Sequence, residues 1–119
     1  MALIYHVAST ADWDQAQRVG EYRISTRGRT LEDVGFIHAC QPSQVEPVAN
    51  SFYKDAGDLF LLVIDTDRVR SEVRYDHVGG WADPFPHIYG PLNTDAVVEV
   101  RKFSPGPDGL FTFLESSPS

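Results

Sequence analysis

The stretch "LFLLVIDTD", residues 59–67, opens with six consecutive apolar residues. A short uninterrupted apolar run of this kind is typical of a β-strand that is buried on both faces. The polar residues Asp65 and Asp67 at its end predict a turn. The rest of the chain must therefore supply elements that cover both faces of this strand.

The first part of the chain begins with a shorter apolar run that is followed by a helix signal. "LIYHVA" (3–8) predicts a strand. Ser9 or Thr10 can cap the helix that follows, and Gly20 is the residue type that ends a helix well. A strand and a short helix are therefore expected over the first twenty residues.

A second strand and helix precede the central run. "FIHAC" (36–40) predicts the strand, and a helix is expected over 42–57 with Ser43 as its N-cap and Gly57 as its stop signal. The stretch between, residues 21–35, is polar and predicts a loop with a short helical turn at "TLED".

Strands dominate the chain after residue 59. "EVRYDHV" (72–78) alternates polar and apolar residues as a half-buried strand does, and "AVVEVRKF" (96–103) predicts a last core strand. Between them, the prolines and the glycine of "DPFPHIYGPL" (83–92) predict a rigid, irregular loop that holds His87 and Tyr89. The order strand, helix, strand, helix and then several strands predicts an α+β fold.

The chain is expected to form one domain over residues 1–103, because it has no internal repeat and no long linker. Residues 104–119 are rich in Pro, Gly and Ser and predict a tail that is partly ordered at most. Within this tail "LFTFLE" (110–115) is compatible with an edge strand, and "ESSPS" (115–119) predicts a mobile end.

Composition excludes several classes of function. The formal net charge of −7 argues against a general nucleic-acid binder or a protein of anionic membrane surfaces. The single cysteine rules out an internal disulfide and a multi-cysteine metal site. The sequence shows neither a signal peptide nor an apolar run long enough to span a membrane, so a cytoplasmic location is expected. It does not indicate the oligomeric state.

Three histidines are the candidate functional residues. His6, His38 and His87 each lie at the end of a predicted strand or in the rigid loop, flanked by apolar or aromatic residues. An imidazole donates, accepts and changes charge near neutral pH, which suits a shared pocket. The alternative is that each is a hydrogen-bonded structural residue. His77 lies among charged residues and is expected at the surface.

Other constellations give weaker signals. Three histidines with a water could hold zinc, but their spacings of 32 and 49 residues match no compact ligand pattern, so no metal site is expected. Cys40 shares a strand face with His38, although a lone cysteine in an apolar strand is more often an inert core residue. No glycine-rich nucleotide motif, H-E-x-x-H or G-x-S-x-G motif is present.

The polar loop also contains a basic cluster of Arg23, Arg27 and Arg29. One interpretation is a solvated loop. The other is a flap that offers a guanidinium and the hydroxyls of Ser25 and Thr26 to a phosphate.

Four segments together resemble a known family. "YHVAS", "GFIHAC", "LFLLVID" and above all "FPHIYGPL" resemble, in register over about residues 3–103, the bacterial domain-of-unknown-function family numbered 952. Members more often carry a Ser or Thr pair after the second histidine, where this chain has Ala39 and Cys40. A role for a hydroxyl at that place is therefore not expected here.

The resemblance implies a fold related to the ADP-ribosyltransferases, with a split, bent antiparallel sheet and two or more helices around an NAD-binding cleft. In those enzymes a first-strand aromatic–histidine pair hydrogen-bonds the nicotinamide-side ribose, a role that the resemblance places on His6, with Tyr5 beside it. The transferases also use a later strand Glu, for which Asp83 and Glu99 are candidates by position only.

These observations leave three hypotheses, of which one is that the histidines are purely structural and the protein functions by associating with a partner. The other two involve a nucleotide ligand. In the first of these, the chain is an ADP-ribosyltransferase-like enzyme that uses NAD as its substrate, as a transferase or glycohydrolase. His6, His38 and His87 are then catalytic, and Tyr89 contacts a ring of the ligand. In the second, the chain is a non-catalytic module that binds a small nucleotide-type ligand and lacks the catalytic Glu. No cofactor beyond NAD is indicated by either.

Overall fold

The apolar run at Leu59–Asp65 is a strand, as predicted, and it is the middle strand of an antiparallel sheet. The computed structural model describes residues 2–113. Its strands are β1 Leu3–Ser9, β2 Glu21–Tyr22, β3 Ile24–Thr26, β4 Arg29–Thr30, β5 Ile37–His38, β6 Leu59–Asp65, β7 Glu72–Asp76, β8 Phe85–Tyr89, β9 Leu92–Asn93 and β10 Val97–Phe103, and its α-helices are α1 Thr10–Val19, α2 Leu31–Val34 and α3 Pro42–Phe52. The α+β prediction is confirmed.

Two antiparallel half-sheets form the framework. The first has the strand order β1-β6-β10 and the second β5-β8-β7. A single bridge joins them, in which the backbone amides of Tyr5 and Cys40 each donate to the other's carbonyl, at 2.9 and 2.7 Å. Short ladders of β2 with β9 and of β3 with β4 complete the strand pairing of the described residues. The sheet is therefore continuous at one point and split elsewhere.

Pro86 explains why β5 leaves β8 early. The carbonyl of Pro86 accepts a hydrogen bond from the amide of Ala39 at 3.0 Å, so the backbone polar groups of Pro86 face β5. A residue with an N–H would complete the pair by donating to the carbonyl of Ala39, but proline has no N–H to give. The β5–β8 ladder therefore stops here, and the backbone groups of the next residue, Cys40, face the other side and pair with β1.

This result corrects the prediction for residues 83–92. The stretch was expected to be an irregular loop, yet Phe85–Tyr89 is the central strand of the second half-sheet. The prolines led to a wrong prediction because Pro86 lies where a backbone N–H would face β5, so its absence leaves the β7–β8 ladder unaffected. The ladder with β7 uses the flanking residues and remains intact over five pairs.

The region 21–35 is also more regular than the predicted loop. It contains β2, β3 and β4, and the expected helical turn is present as α2, which Thr30 caps by accepting from the amide of Asp33 at 3.2 Å. β2 pairs with β9, about seventy residues away in sequence, so local periodicity carries little information about it.

The ends of α1 lie where the sequence predicted them, whereas those of α3 do not. Ser9 caps α1 by accepting from the amide of Asp12 at 3.1 Å, and Gly20 ends it in the left-handed conformation, as predicted. In α3 the N-cap is Gln41 rather than Ser43, because Pro42 occupies the first helical position that suits it. The helix ends at Phe52, before the predicted stop at Gly57.

The core lies on both faces of the first half-sheet. Leu62 and Ile64 of β6 pack with α1 on one face, whereas Leu61 and Val63 pack with α3 on the other. This confirms that β6 is buried on both faces. β10 was predicted as a core strand but is an edge strand, and its Val98 is 45% exposed.

The segment after β10 packs back onto the domain. Phe111 is 2% exposed and stacks on Phe103 with ring centroids 4.9 Å apart. Asn50 of α3 holds the backbone of Phe111 by two hydrogen bonds, at 3.1 and 2.8 Å. Residues 110–113 form no strand, and the remainder of "LFTFLE" and the end "ESSPS" lie outside the described residues. Within residues 2–113, no helix has the length and apolar character needed to cross a membrane.

Candidate functional site

One face of the second half-sheet gathers most of the candidate residues. The register pairs His87 of β8 with His38 on one side and with Arg74 on the other, and residues paired in this way share a face. Alternation along each strand adds further members of the same face. We call this surface the histidine face, and its members are Phe36, His38, Glu72, Arg74, Asp76, His87 and Tyr89.

His87 is the buried centre of the histidine face. It is 3% exposed, and its Nδ1 lies 2.8 Å from Oδ2 of Asp76. The hydroxyl of Tyr89 donates to the same carboxylate oxygen. These two hydrogen bonds, from Tyr89 first and His87 second, hold the pKa of Asp76 below its usual range. Asp76 is therefore ionised at neutral pH, next to a histidine that it orients.

Aromatic rings enclose His87. Phe36 stacks on its ring with centroids 4.0 Å apart and an interplanar angle of 19°. The ring of His38 meets it nearly perpendicularly, at 4.9 Å. The guanidinium of Arg74 lies over the ring of Tyr89, 4.7 Å from the centroid of that ring. Within residues 2–113, Nε2 of His87 is buried and has no hydrogen-bond partner.

His38 connects the histidine face to an apolar pocket of about 130 Å³. The other residues that line this pocket are Ala39, Cys40, Val48, Phe52, Val78, Trp81 and Phe85. Burial, and next the nearby His87, lowers the pKa of His38 to about 4. At neutral pH the pocket therefore presents a neutral imidazole at the edge of an apolar chamber.

His6 lies between the two half-sheets and is 2% exposed. Its Nδ1 donates to the carbonyl of His38, and its Nε2 accepts from the hydroxyl of Tyr22 at 2.9 Å. In a ladder continued from the Tyr5–Cys40 bridge, the carbonyl of His38 would face Val7. The imidazole thus takes the place of that backbone donor at the point where the half-sheets part.

Tyr22 lines a second depression, which we call the polar cleft, of about 180 Å³. Thr26 and Arg27 also line it, together with Asp12 of α1. The hydroxyl of Thr26 lies 3.2 Å from that of Tyr53, and the guanidinium of Arg27 donates to the carbonyls of residues 54 and 55 at 3.1 and 3.3 Å. Arg27 is therefore tied to the chain after α3 while it borders the cleft.

The structure separates the predicted site residues into groups. His38, His87 and Tyr89 share the histidine face, whereas Thr26 and Arg27 border the polar cleft. The three histidines form one connected group, but in the part of the chain that the structure describes His38 borders the apolar pocket, whereas His6 and His87 border neither that pocket nor the polar cleft. His77 is exposed, as predicted.

Two other predicted ligand-binding residues point elsewhere. Tyr5 is 2% exposed and packs in the core against Phe113, on the face of β1 opposite His6. Ser25 is fully buried, and its hydroxyl has no partner among residues 2–113. Neither side chain borders the apolar pocket or the polar cleft.

The carboxylate beside the histidines is Asp76, which the sequence did not single out. Asp83 is exposed, and Glu99 is exposed on β10 and paired with Arg101 at 2.9 Å. The alternation in "EVRYDHV" already placed Arg74 and Asp76 on one strand face, and this was the available signal. It could not be used because "DPFPHIYGPL" was not recognised as the neighbouring strand.

The chemistry of the remaining groups is limited. Burial raises the pKa of the Cys40 thiol to about 12, so it stays protonated and unreactive. Among residues 2–113, no group of three or more His, Cys, Asp or Glu side chains is arranged to hold a metal ion. The groups of the histidine face that can transfer a proton or contact a ring are its imidazoles, the carboxylate of Asp76 and its aromatic side chains.

Acidification is expected to weaken the fold between about pH 6.5 and pH 4. Burial lowers the pKa of His6 from 6.5 to about 4 in the folded protein, so in this window the unfolded state binds the additional proton. The free energy of unfolding then falls as the pH falls, with a slope approaching about 1.4 kcal/mol per pH unit from His6. His38 adds a smaller effect because solvent reaches its ring. Urea unfolding across this window measures the slope.

The matched controls are His77→Gln and His6→Gln. The slope should persist in His77→Gln, because that ring is exposed, and most of it should disappear in His6→Gln. A wild-type protein with no loss of stability across this window would contradict the expectation.

Comparison with known proteins identifies similar sequences and structures. The family described as "Protein of unknown function (DUF952)" matches residues 7–100. The crystal structure of protein CC0527 from Caulobacter crescentus has a TM-score of 0.81 and 25% identity, over 93% of this chain and 94% of that chain. A crystal structure of a CC0527 double mutant gives 0.80 and 27%, over 93% and 94%.

The solution NMR structure of CC0527 agrees, with a TM-score of 0.75 and 26% identity over 92% of this chain and 91% of that chain. No curated protein matches the chain. The likeness covers nearly the whole length of both chains, so the fold described above is shared with CC0527.

Proposed function

The chain belongs to the DUF952 family of proteins of unknown function, and we propose that it binds an NAD-type nucleotide at the histidine face and cleaves its nicotinamide–ribose bond. The observation that supports the proposal best is one arrangement. An apolar pocket is bordered by a neutral histidine, which in turn contacts a second histidine oriented by a carboxylate.

The apolar pocket suits a single aromatic ring. An apolar cavity of about 150 Å³ can hold benzene, and this pocket measures about 130 Å³. Trp81 and Phe85 offer ring contacts, and His38 offers a polar group at the edge. The nicotinamide ring of NAD is a flat cation with a polar carboxamide, and aromatic faces such as those of Trp81 and Phe85 attract cations. Tyr89 lies on the histidine face for further ligand contacts.

The reaction matches the groups at hand. Cleavage of the bond between nicotinamide and ribose passes through an oxocarbenium-like state, which requires fixed polar groups more than a strong nucleophile. His87 is held in place by Asp76 and by Phe36, so little conformational entropy is lost when it is oriented for the reaction.

The fold supports the same proposal. A relationship to the ADP-ribosyltransferases implies a split antiparallel sheet with helices around a cleft. Here two antiparallel half-sheets are joined at one bridge, with α1 and α3 packed on them. We propose that this split corresponds to the nucleotide cleft and that Thr26 and Arg27 of the polar cleft bind phosphate groups.

Ligand binding is expected to raise thermal stability and to depend on His38. NAD at about 100 times its Kd should stabilise the fold by about 2.7 kcal/mol, and nicotinamide should then appear in solution. Thermal shift and chromatographic detection of released nicotinamide measure the two effects. His38→Ala should weaken binding at least about tenfold by removing the polar edge of the pocket, whereas the exposed His77→Ala should behave as wild type.

The alternative function is a non-catalytic nucleotide-binding module. The exposed positions of Asp83 and Glu99 favour it, because neither carboxylate can take the place of the transferase Glu beside the histidines. It predicts a thermal shift with NAD or ADP-ribose without release of nicotinamide. If neither NAD, ADP-ribose nor nicotinamide shifts the melting temperature, both functions are wrong for these ligands.

A further inference from the structure

We propose that Asp76 is a positioning residue that keeps His87 protonated on Nδ1 and thereby leaves Nε2 as the base that accepts a proton from the attacking hydroxyl. The identity of the reaction rests on the proposed function. The assignment of the two nitrogens rests on the hydrogen bonds of the histidine face alone.

The first step of the argument concerns the proton between His87 and Asp76. Oδ2 of Asp76 already accepts from the hydroxyl of Tyr89, which is what an ionised carboxylate does. A carboxylate has no hydrogen to donate, so the hydrogen in the 2.8 Å contact belongs to Nδ1 of His87. When this imidazole is neutral, Nδ1 carries its one N–H and Nε2 holds a lone pair.

The second step concerns the surroundings of Nε2. The atom is buried, and residues 2–113 offer it no donor. Leaving an acceptor unsatisfied in the interior costs about 1–3 kcal/mol, and such exceptions among buried polar groups call for an explanation. A ligand group that brings its own O–H or N–H would satisfy Nε2.

The third step concerns access. The ring of His87 is covered by Phe36, whose side chain is itself only half-buried. The ring of His38, which borders the apolar pocket, lies on another side of His87. A hydroxyl reaches Nε2 when one of these two rings turns aside, and both belong to the short strand segment at β5.

The reaction then balances as follows. The oxygen of water or of an acceptor alcohol forms a bond to C1′ of the ribose, and its proton moves to Nε2 of His87. The bond between C1′ and the nicotinamide nitrogen breaks, and its electron pair neutralises the positive ring, so nicotinamide leaves without a charge. The imidazolium is stabilised by the negative charge of Asp76, and the proton passes to solvent afterwards.

The test is the proton position, read by long-range ¹H–¹⁵N NMR of histidine-labelled protein. In the wild type Nδ1 of His87 should show the signature of a protonated nitrogen and Nε2 that of a bare one. In Asp76→Asn the amide can donate to Nδ1, so the proton should move to Nε2. Tyr89→Phe keeps the Asp76–His87 contact and should keep the wild-type pattern.

Activity supplies the second measurement. Asp76→Asn should lower kcat for nicotinamide release about 100-fold or more with little change in KM, whereas Asp14→Asn, at an exposed position of α1, should not. A wild-type proton on Nε2, an unchanged spectrum in folded Asp76→Asn, or an unchanged kcat in that variant overturns the inference. If the spectra are as expected and the wild type releases no nicotinamide, the proposed reaction fails while the assignment of the nitrogens stands.

Discussion

Replacing Phe111 with alanine is expected to lower the free energy of unfolding by about 3–5 kcal/mol. The side chain lies eight residues after the last strand, yet it is 2% exposed and stacks on Phe103 at 4.9 Å. Truncation to alanine removes this ring from the core beneath α3 and leaves a cavity. Urea unfolding followed by fluorescence and circular dichroism measures the change.

The neighbouring Leu110→Ala is the matched control. Leu110 is 43% exposed, so its truncation should change stability by no more than about 0.5 kcal/mol. If Phe111→Ala were as mild as Leu110→Ala, the segment after β10 would contribute nothing to the core, and residues 1–103 would suffice for the domain.

The second large effect is expected at the end of β8. Gly90 has a φ of 151°, and a Cβ added there would lie 2.5 Å from Oγ of Ser71, which donates to the carbonyl of Pro91. Gly90→Ala should therefore cost about 2–4 kcal/mol, from backbone strain and from displacement of Ser71. Thermal and urea unfolding measure the loss.

Two further variants separate strain from crowding. Gly28→Ala also has a positive φ, of 76°, but has nothing within 4 Å of the new methyl group, so it should cost only about 1 kcal/mol. Adding Ser71→Gly to Gly90→Ala should recover part of the loss. Equal effects of Gly28→Ala and Gly90→Ala would show that Ser71 does not crowd position 90.

Local signals in the sequence were sufficient for the elements that depend on local physics. The apolar run of β6, the Ser9 cap and the Gly20 stop were all predicted, because burial on two faces and helix capping are determined by neighbouring residues. The start of α3 was displaced because Pro42 is itself a good first helical residue and moves the cap to Gln41.

Elements that depend on distant partners could not be predicted in the same way. β2 pairs with β9, and β8 lies between β5 and β7. In neither case do the neighbouring residues in sequence indicate which strand will be the partner. Proline in "DPFPHIYGPL" was taken as a loop signal. Its effect depends on which neighbouring strand its nitrogen faces, and that is known only once the sheet is assembled.

The candidate site shows the same division. His38, His87 and Tyr89 were selected by residue type and flanking residues, and the structure brings them onto one face. Asp76, Phe36 and Tyr22 were not selected, because their importance comes from pairing and packing across strands. Aromatic residues such as Phe36 and Tyr22 are common in and beside strands, so their type alone does not indicate a site. Asp76 ends its strand among other charged residues, which is typical of a solvated position.

Pro86 has a consequence for how the two half-sheets are joined. Ala39 and Cys40 direct their backbone groups to opposite sides, Ala39 to β8 and Cys40 to β1. Proline at position 86 leaves the Ala39 pair with one hydrogen bond, whereas the Tyr5–Cys40 bridge has two. At this point the backbone therefore binds more firmly to the first half-sheet than to the strand beside it in the second.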